Sequence, residues 1–153
     1  MAQRFIIFFA TGGYVGFSPI APGTVGTLWG IPLSILLANL GHIKGGIALL
    51  IFFSGASWLA SRACKIGKVE DPPSIVCDEV VGFLVASFLI PTTLLNIFFI
   101  FLIFRIFDIL KPFPANLIDD KVKGGVGIVL DDVVAGIYTN LVFLVAAWLI
   151  GYY

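Results

Sequence analysis

Two adjacent acidic residues occur twice, in nearly the same phrase. Ile75-Val76-Cys77-Asp78-Glu79-Val80-Val81-Gly82 carries the first pair, and Ile128-Val129-Leu130-Asp131-Asp132-Val133-Val134-Ala135 carries the second. Five of the eight positions are identical, and the acids fall in register. An uncharged apolar run follows each pair, so each is expected to open an apolar helix. One acid at a helix start complements the dipole, worth about 0.3–1 kcal/mol. Two adjacent acids on both helices repel unless a cation lies between them. Ionisable groups at membrane depth are costly and usually serve a site. Asp78, Glu79, Asp131 and Asp132 are therefore read as metal ligands. Oxygen donors favour a hard ion, Mg²⁺, over zinc. The one histidine, His42, falls in a turn at the far side.

A second group supplies cations. In Arg105-Ile106-Phe107-Asp108-Ile109-Leu110-Lys111, helical spacing puts Arg105 and Asp108 one turn apart on one face. Arg105 can fork onto a phosphate, and Lys111 can add a point charge. A third group is the loop Ser18-Pro19-Ile20-Ala21-Pro22-Gly23-Thr24-Val25-Gly26-Thr27. Its prolines and glycine enforce a tight turn, and Thr24 is a candidate N-cap for the helix after it. A helix start of this kind suits an anion. The expected phosphate-binding residues are Thr24, Gly26, Thr27, Arg105 and Lys111. The expected catalytic residues are Asp78, Asp108, Asp131 and Asp132. Metal carboxylates with cations make a phosphoryl-transfer kit, and a membrane setting suggests a phospholipid substrate.

The elements that must position these residues are apolar. The chain has 153 residues, 59% hydrophobic and 12% charged, which places it in the membrane class as one domain, 1–153. Nine basic and nine acidic residues balance, against the basic excess that nucleic acid would require. No charge lies between Lys44 and Arg62, between Glu79 and Arg105, or after Asp132. Apolar segments follow from these gaps. A glycine-interrupted interfacial stretch covers 5–17, and spans cover 28–40, 47–60, 94–110 and 133–153. A short segment, 80–90, either crosses or re-enters. The expected fold is an all-α polytopic membrane bundle with about four to five embedded helices. Paired as hairpins, these segments put Arg62, Lys65, Lys68, Arg105, Lys111, Lys121 and Lys123 on one face and Lys44 on the other. By the positive-inside rule the first face is cytoplasmic. Cys64 and Cys77 form neither a CxxC motif nor a disulfide framework.

Four blocks carry a family resemblance: 18–27, 71–79, 104–112 and 124–136. With Pro19-Ile20-Ala21-Pro22-Gly23-Thr24, Asp71-Pro72-Pro73-Ser74, Phe104-Arg105-Ile106-Phe107-Asp108 and Gly127-Ile128-Val129-Leu130-Asp131-Asp132 in that order, the chain resembles the phosphatidylglycerophosphatase A family. The resemblance implies a Mg²⁺-dependent enzyme of the bacterial cytoplasmic (inner) membrane. Such an enzyme hydrolyses phosphatidylglycerophosphate to phosphatidylglycerol and phosphate. Other phosphatase designs fit poorly. A cysteine nucleophile wants an arginine six residues on, where Cys64 and Cys77 have Glu70 and Phe83. A histidine nucleophile wants two histidines, and no DxDx[TV] motif is present. Two readings compete. A small cation channel or carrier would use the acidic pairs as ion sites but gains nothing from Arg105. A phosphatidyl-transferring synthase would carry an Asp-Gly dipeptide, absent here.

Overall fold

Nine residues separate the long α4 from the short α5, and that contrast sets the architecture. The computed structural model describes residues 1–152. Among them the fold is all helical, with no strand. The helices are α1 (Ala2–Ala10), α2 (Pro22–Thr27), α3 (Gly30–Ala38), α4 (Gly41–Gly67), α5 (Cys77–Ala86), α6 (Leu94–Leu110), α7 (Ala115–Lys121) and α8 (Gly125–Leu149), plus a 3₁₀ turn at Val15–Phe17.

Two of these, α4 with 27 residues and α8 with 25, are long and apolar enough to cross a membrane. At 1.5 Å per residue they reach about 40 and 37 Å. This is fewer than the four to five embedded helices expected. The remainder fall short by length. The expected span 28–40 is broken, since α2 ends at Thr27 and α3 restarts at Gly30 with Pro32 in its first turn. Together they form a shorter apolar unit, Pro22–Ala38. The ten residues of α5 reach only about 15 Å. The surface fits an apolar surrounding. Leu95, Phe98, Phe99 and Ile106 of α6, Ile47, Leu50 and Ile51 of α4, and Leu141, Val145 and Trp148 of α8 are all exposed. An apolar belt of that extent marks a surface made for contact with something other than water.

Helix ends moved where polar residues proved compatible with helix. The His42 turn is the first turn of α4, and the loop expected at 116–127 contains α7. The last helix begins at Gly125, eight residues before the expected start; its expected end at Tyr153 lies outside the described residues. Only α6 keeps its expected ends. Thr93 caps it, its Oγ1 accepting from Asn96 N at 3.2 Å, and Lys111 before Pro112 stops it.

The core is built on α5. One face packs with α4 and α8 through Ala56, Ala60, Val81 and Val129; the other packs with α6 and α8 through Phe83, Ile100, Phe104 and Ala135. α5 and α8 run side by side in the same direction. Glycines make this possible. A Cβ on Gly82 would lie 2.7 Å from both the Asp132 carbonyl and the Phe104 ring, and one on Gly136 would overlap the Gly82 carbonyl. Small residues at such crossings let helix backbones touch. Where α5 stops, its carbonyls need partners, because an unmet backbone group in an apolar interior is costly. Asn140 supplies them, its Nδ2 donating to Ala86 O (3.0 Å) and Phe88 O (2.7 Å).

The C-terminal end of α4, the start of α5, the end of α6, α7 and the start of α8 all gather at one end of the bundle. His42 meets the Ser87–Pro91 turn at the other end, around a cavity of about 200 Å³.

Candidate active site

Asp78 and Glu79 sit in the first turn of α5, as expected. The second pair does not open its helix. α8 starts six residues before Asp131, so Asp131 and Asp132 lie in its second turn and dipole complementation does not explain them. The parallel packing of α5 and α8 brings three carboxylates together. Asp78, Glu79 and Asp132 each offer an oxygen, and these atoms lie within 4.8 Å of one another. Asp108, from α6, faces Asp132. Asp78 and Asp108 are each 9% exposed, and Asp132 is 4% exposed.

The remaining carboxylate of the doublets goes elsewhere. Adjacent residues on a helix point about 100° apart. Asp131 turns away from the group of three, and its Oδ2 accepts from Lys111 Nζ at 2.5 Å. Lys111 also pairs with Asp119 Oδ1 at 2.9 Å. Burial opposes the lysine's charge, but the hydrogen bonds to Asp131 and Asp119 outweigh it and hold its pKa well above the ordinary lysine value. Lys111 holds this position with a left-handed backbone, φ 42°.

Arg105 closes the other side of the three acids. Its Nη1 binds Asp108 Oδ2, lies 4.0 Å from Glu79 Oε1 and donates to Thr27 Oγ1 at 3.4 Å. Thr27 is fully buried and donates onward to Gly23 O at 2.8 Å. The Pro/Gly loop therefore reaches the site, though not as expected. α2 starts at Pro22 with Ala21 before it, so Thr24 is inside the helix, half-buried, and caps nothing. Gly26 packs against the Val76 side chain and is needed for close approach. The residue nearest the acids is Gly23, where a Cβ would fall on the Glu79 carboxylate and 3.2 Å from Arg105 Nη2.

Several buried polar atoms here have no partner: Asp78 Oδ1, Glu79 Oε2, Asp131 Oδ1 and Arg105 Nε. A buried unpaired carboxylate oxygen is expensive. Three carboxylates with two such oxygens among them are a donor set for a hard divalent cation, and Mg²⁺ fits it by chemistry. Arg105 Nε is a donor with capacity to spare beside it. Asp119, Gly23 and the Gly82–Gly136 crossing were not singled out from the sequence. For the glycines a signal existed, since Gly82 and Gly136 follow the two doublets by three and four residues.

The family model for phosphatidylglycerophosphatase A matches residues 8–147. The chain belongs to the phosphatidylglycerophosphatase A family. Two relatives named phosphatidylglycerophosphatase A show the same kinship. The Haemophilus influenzae protein is 39% identical over 136 residues, covering 85% of this chain and 82% of its own. The Escherichia coli protein is 35% identical over 145 residues, covering 93% and 84%. A Bacteroides thetaiotaomicron protein, provisionally named a phosphatidylinositol-3-phosphatase, is 37% identical over 153 residues and 95% of both chains. No solved structure matches the chain. In this family member every matched block meets at one place: 18–27 through Thr27 and Gly23, 71–79 through Asp78 and Glu79, 104–112 through Arg105, Asp108 and Lys111, and 124–136 through Asp131 and Asp132.

Proposed function

We propose that this protein hydrolyses the terminal phosphate monoester of phosphatidylglycerophosphate, releasing phosphatidylglycerol and inorganic phosphate. The observation that carries the reading is the buried group Asp78–Glu79–Asp132, with its unpartnered oxygens, set beside Arg105. The names of the relatives share a phosphate monoester on a phospholipid headgroup, which is the chemistry this arrangement suits.

Asp78, Glu79 and Asp132 would hold Mg²⁺. Bound there, it would supply Lewis-acid polarisation of a phosphoryl oxygen and a more acidic water. The chain's own residues do the rest. Arg105 holds non-bridging phosphate oxygens, its plane fixed by Asp108 and Thr27. Asp108 and Asp131 keep Arg105 and Lys111 in place, each a buried carboxylate paired to one cation. Lys111 keeps its protons and adds positive charge at the edge of the site. A water oxygen bonds to phosphorus, the bond from phosphorus to the glycerol oxygen breaks, and the alcohol leaves with a proton. A cation path would not place a guanidinium 4.0 Å from its acidic lining, which weighs against the channel alternative.

The site lies at the bundle end that carries Arg62, Lys65, Lys68, Lys121 and Lys123, while Lys44 lies at the other. That bias supports a cytoplasmic-facing site in the inner membrane, with α6 and the α2–α3 unit embedded beside α4 and α8. The test is phosphate release from phosphatidylglycerophosphate by purified protein in detergent, with Mg²⁺ and with a chelator. Release that needs Mg²⁺ supports the reading; no release under either condition overturns it.

A further inference from the structure

A second cavity, of about 540 Å³, opens at the same end of the bundle, between the last turns of α4, the 68–71 loop, α7 and the start of α8. Its volume is that of a small-ligand pocket. Unlike the apolar cavity between α1, α3 and α4, it is lined by charge: Lys65, Lys68, Lys123, Glu70, Asp71 and Asp119. Two of these acids are already engaged. Glu70 pairs with Lys123 at 3.5 Å, and Asp119 pairs with Lys111 at 2.9 Å. Lys65 and Lys68 make no ion pair among the described residues, and neither does Asp71. The lining therefore holds two uncommitted cations and one uncommitted acceptor.

A relay of ion pairs links the cavity wall to the candidate active site. Asp119 is on its wall and binds Lys111; Lys111 binds Asp131; Asp131 adjoins Asp132 in the acid group. Ile128, also on the wall, is one turn before Asp131 on α8.

The substrate of the proposed reaction has more than one anion. Beyond the terminal monoester come a glycerol hydroxyl and then a phosphodiester. We propose that this cavity is the headgroup subsite: Lys65 and Lys68 hold the phosphodiester anion and Asp71 accepts from the glycerol hydroxyl, while the monoester sits at Arg105. The proposal rests on the reading given under Proposed function. Such a subsite would favour a headgroup with two phosphates over one with a single phosphate. The lysines are exposed and unpaired, so their removal leaves no buried charge behind.

The test compares two water-soluble substrates in detergent without anionic lipid, so that attraction to a charged bilayer plays no part. One is glycerophosphoglycerophosphate, the deacylated headgroup with both phosphates; the other is glycerol 3-phosphate. In the Lys65→Gln/Lys68→Gln double variant, kcat/KM for the first is expected to fall about tenfold, mainly through KM, from lost charge-assisted hydrogen bonds. For the second, too short to reach the cavity, kcat/KM stays within about twofold. Asp71→Asn gives a smaller loss with the same selectivity. Equal losses on both substrates, or none on either, overturn the subsite. So does weakened inhibition by inorganic phosphate with unchanged selectivity, which would make the cavity a site for released phosphate. Wild-type protein that releases no phosphate from phosphatidylglycerophosphate itself overturns the proposed function, and the subsite with it. Wild-type turnover with unaltered selectivity in the variants overturns the subsite alone.

Discussion

Asp132 and Asp131 are neighbours with different work. Asp132 shares a space with Asp78 and Glu79, while Asp131 is held by Lys111. Asp78→Asn or Asp132→Asn is expected to lower phosphate release at least about a hundredfold. Mg²⁺ should raise the thermal midpoint of the wild type by mass action and should no longer do so in either variant. An unchanged Mg²⁺-dependent shift in both would remove the assignment of the ligands. Arg105→Lys keeps the charge but loses the planar fork that Asp108 and Thr27 orient, so kcat/KM should fall about a hundredfold with protein yield unchanged. The acid doublets and Arg105-Ile106-Phe107-Asp108 were legible in the sequence because charge inside apolar stretches has few other uses. The split between Asp131 and Asp132 was not, because it depends on how far α8 is rotated against α5. Nor was the displacement of Thr24 by Gly23, since composition alone does not say which residue of a short helix faces its neighbour.

Helix α5 owes its place to two small contacts. Gly82 and Gly136 let its backbone lie against α8, and Asn140 takes up the carbonyls where it ends. Gly82→Leu would drive a side chain into the Asp132 carbonyl and the Phe104 ring, costing at least about 1–3 kcal/mol and spreading the acids apart. Loss of both stability and Mg²⁺ response, measured by thermal unfolding, is the expected pair of results. Asn140→Leu leaves two carbonyls without donors and should cost about 1–3 kcal/mol while leaving the acids in place. Unfolding that matches wild type would show that the end of α5 is satisfied in another way. The sequence marked α6 closely, because Thr93 and Lys111-Pro112 are strong stop signals at its ends. It misplaced the start of α8, because the glycines at 124, 125 and 127 read as loop. Gly125 and Gly127 are in fact close-approach positions, with Gly125 N donating to Ser61 Oγ at 3.0 Å, while Gly124 takes a left-handed backbone, φ 82°, just before the helix.

The whole bundle is polar at one end and apolar along its sides, so its orientation can be measured directly. In inverted inner-membrane vesicles, a cysteine in place of Lys65 or Lys123 should react with an impermeant thiol reagent, and one in place of His42 should not. The reverse pattern would put the site on the outer face. The one-ended distribution of cations was legible from charge bunching alone, whereas the number of full-length helices was not, because apolar runs of similar length became a broken helix, a half-length helix and two long ones. The duplicated phrase has a consequence at this scale. Its sequence period is 53 residues, but in space Gly82 meets Gly136 and Asp78 meets Asp132, a period of 54. Sliding one copy a single step past the other turns its doublet by about 100°. Two near-identical words thereby acquire unlike meanings: the first gives both its acids to the cradle, and the second gives one there and keeps the other to tether a lysine.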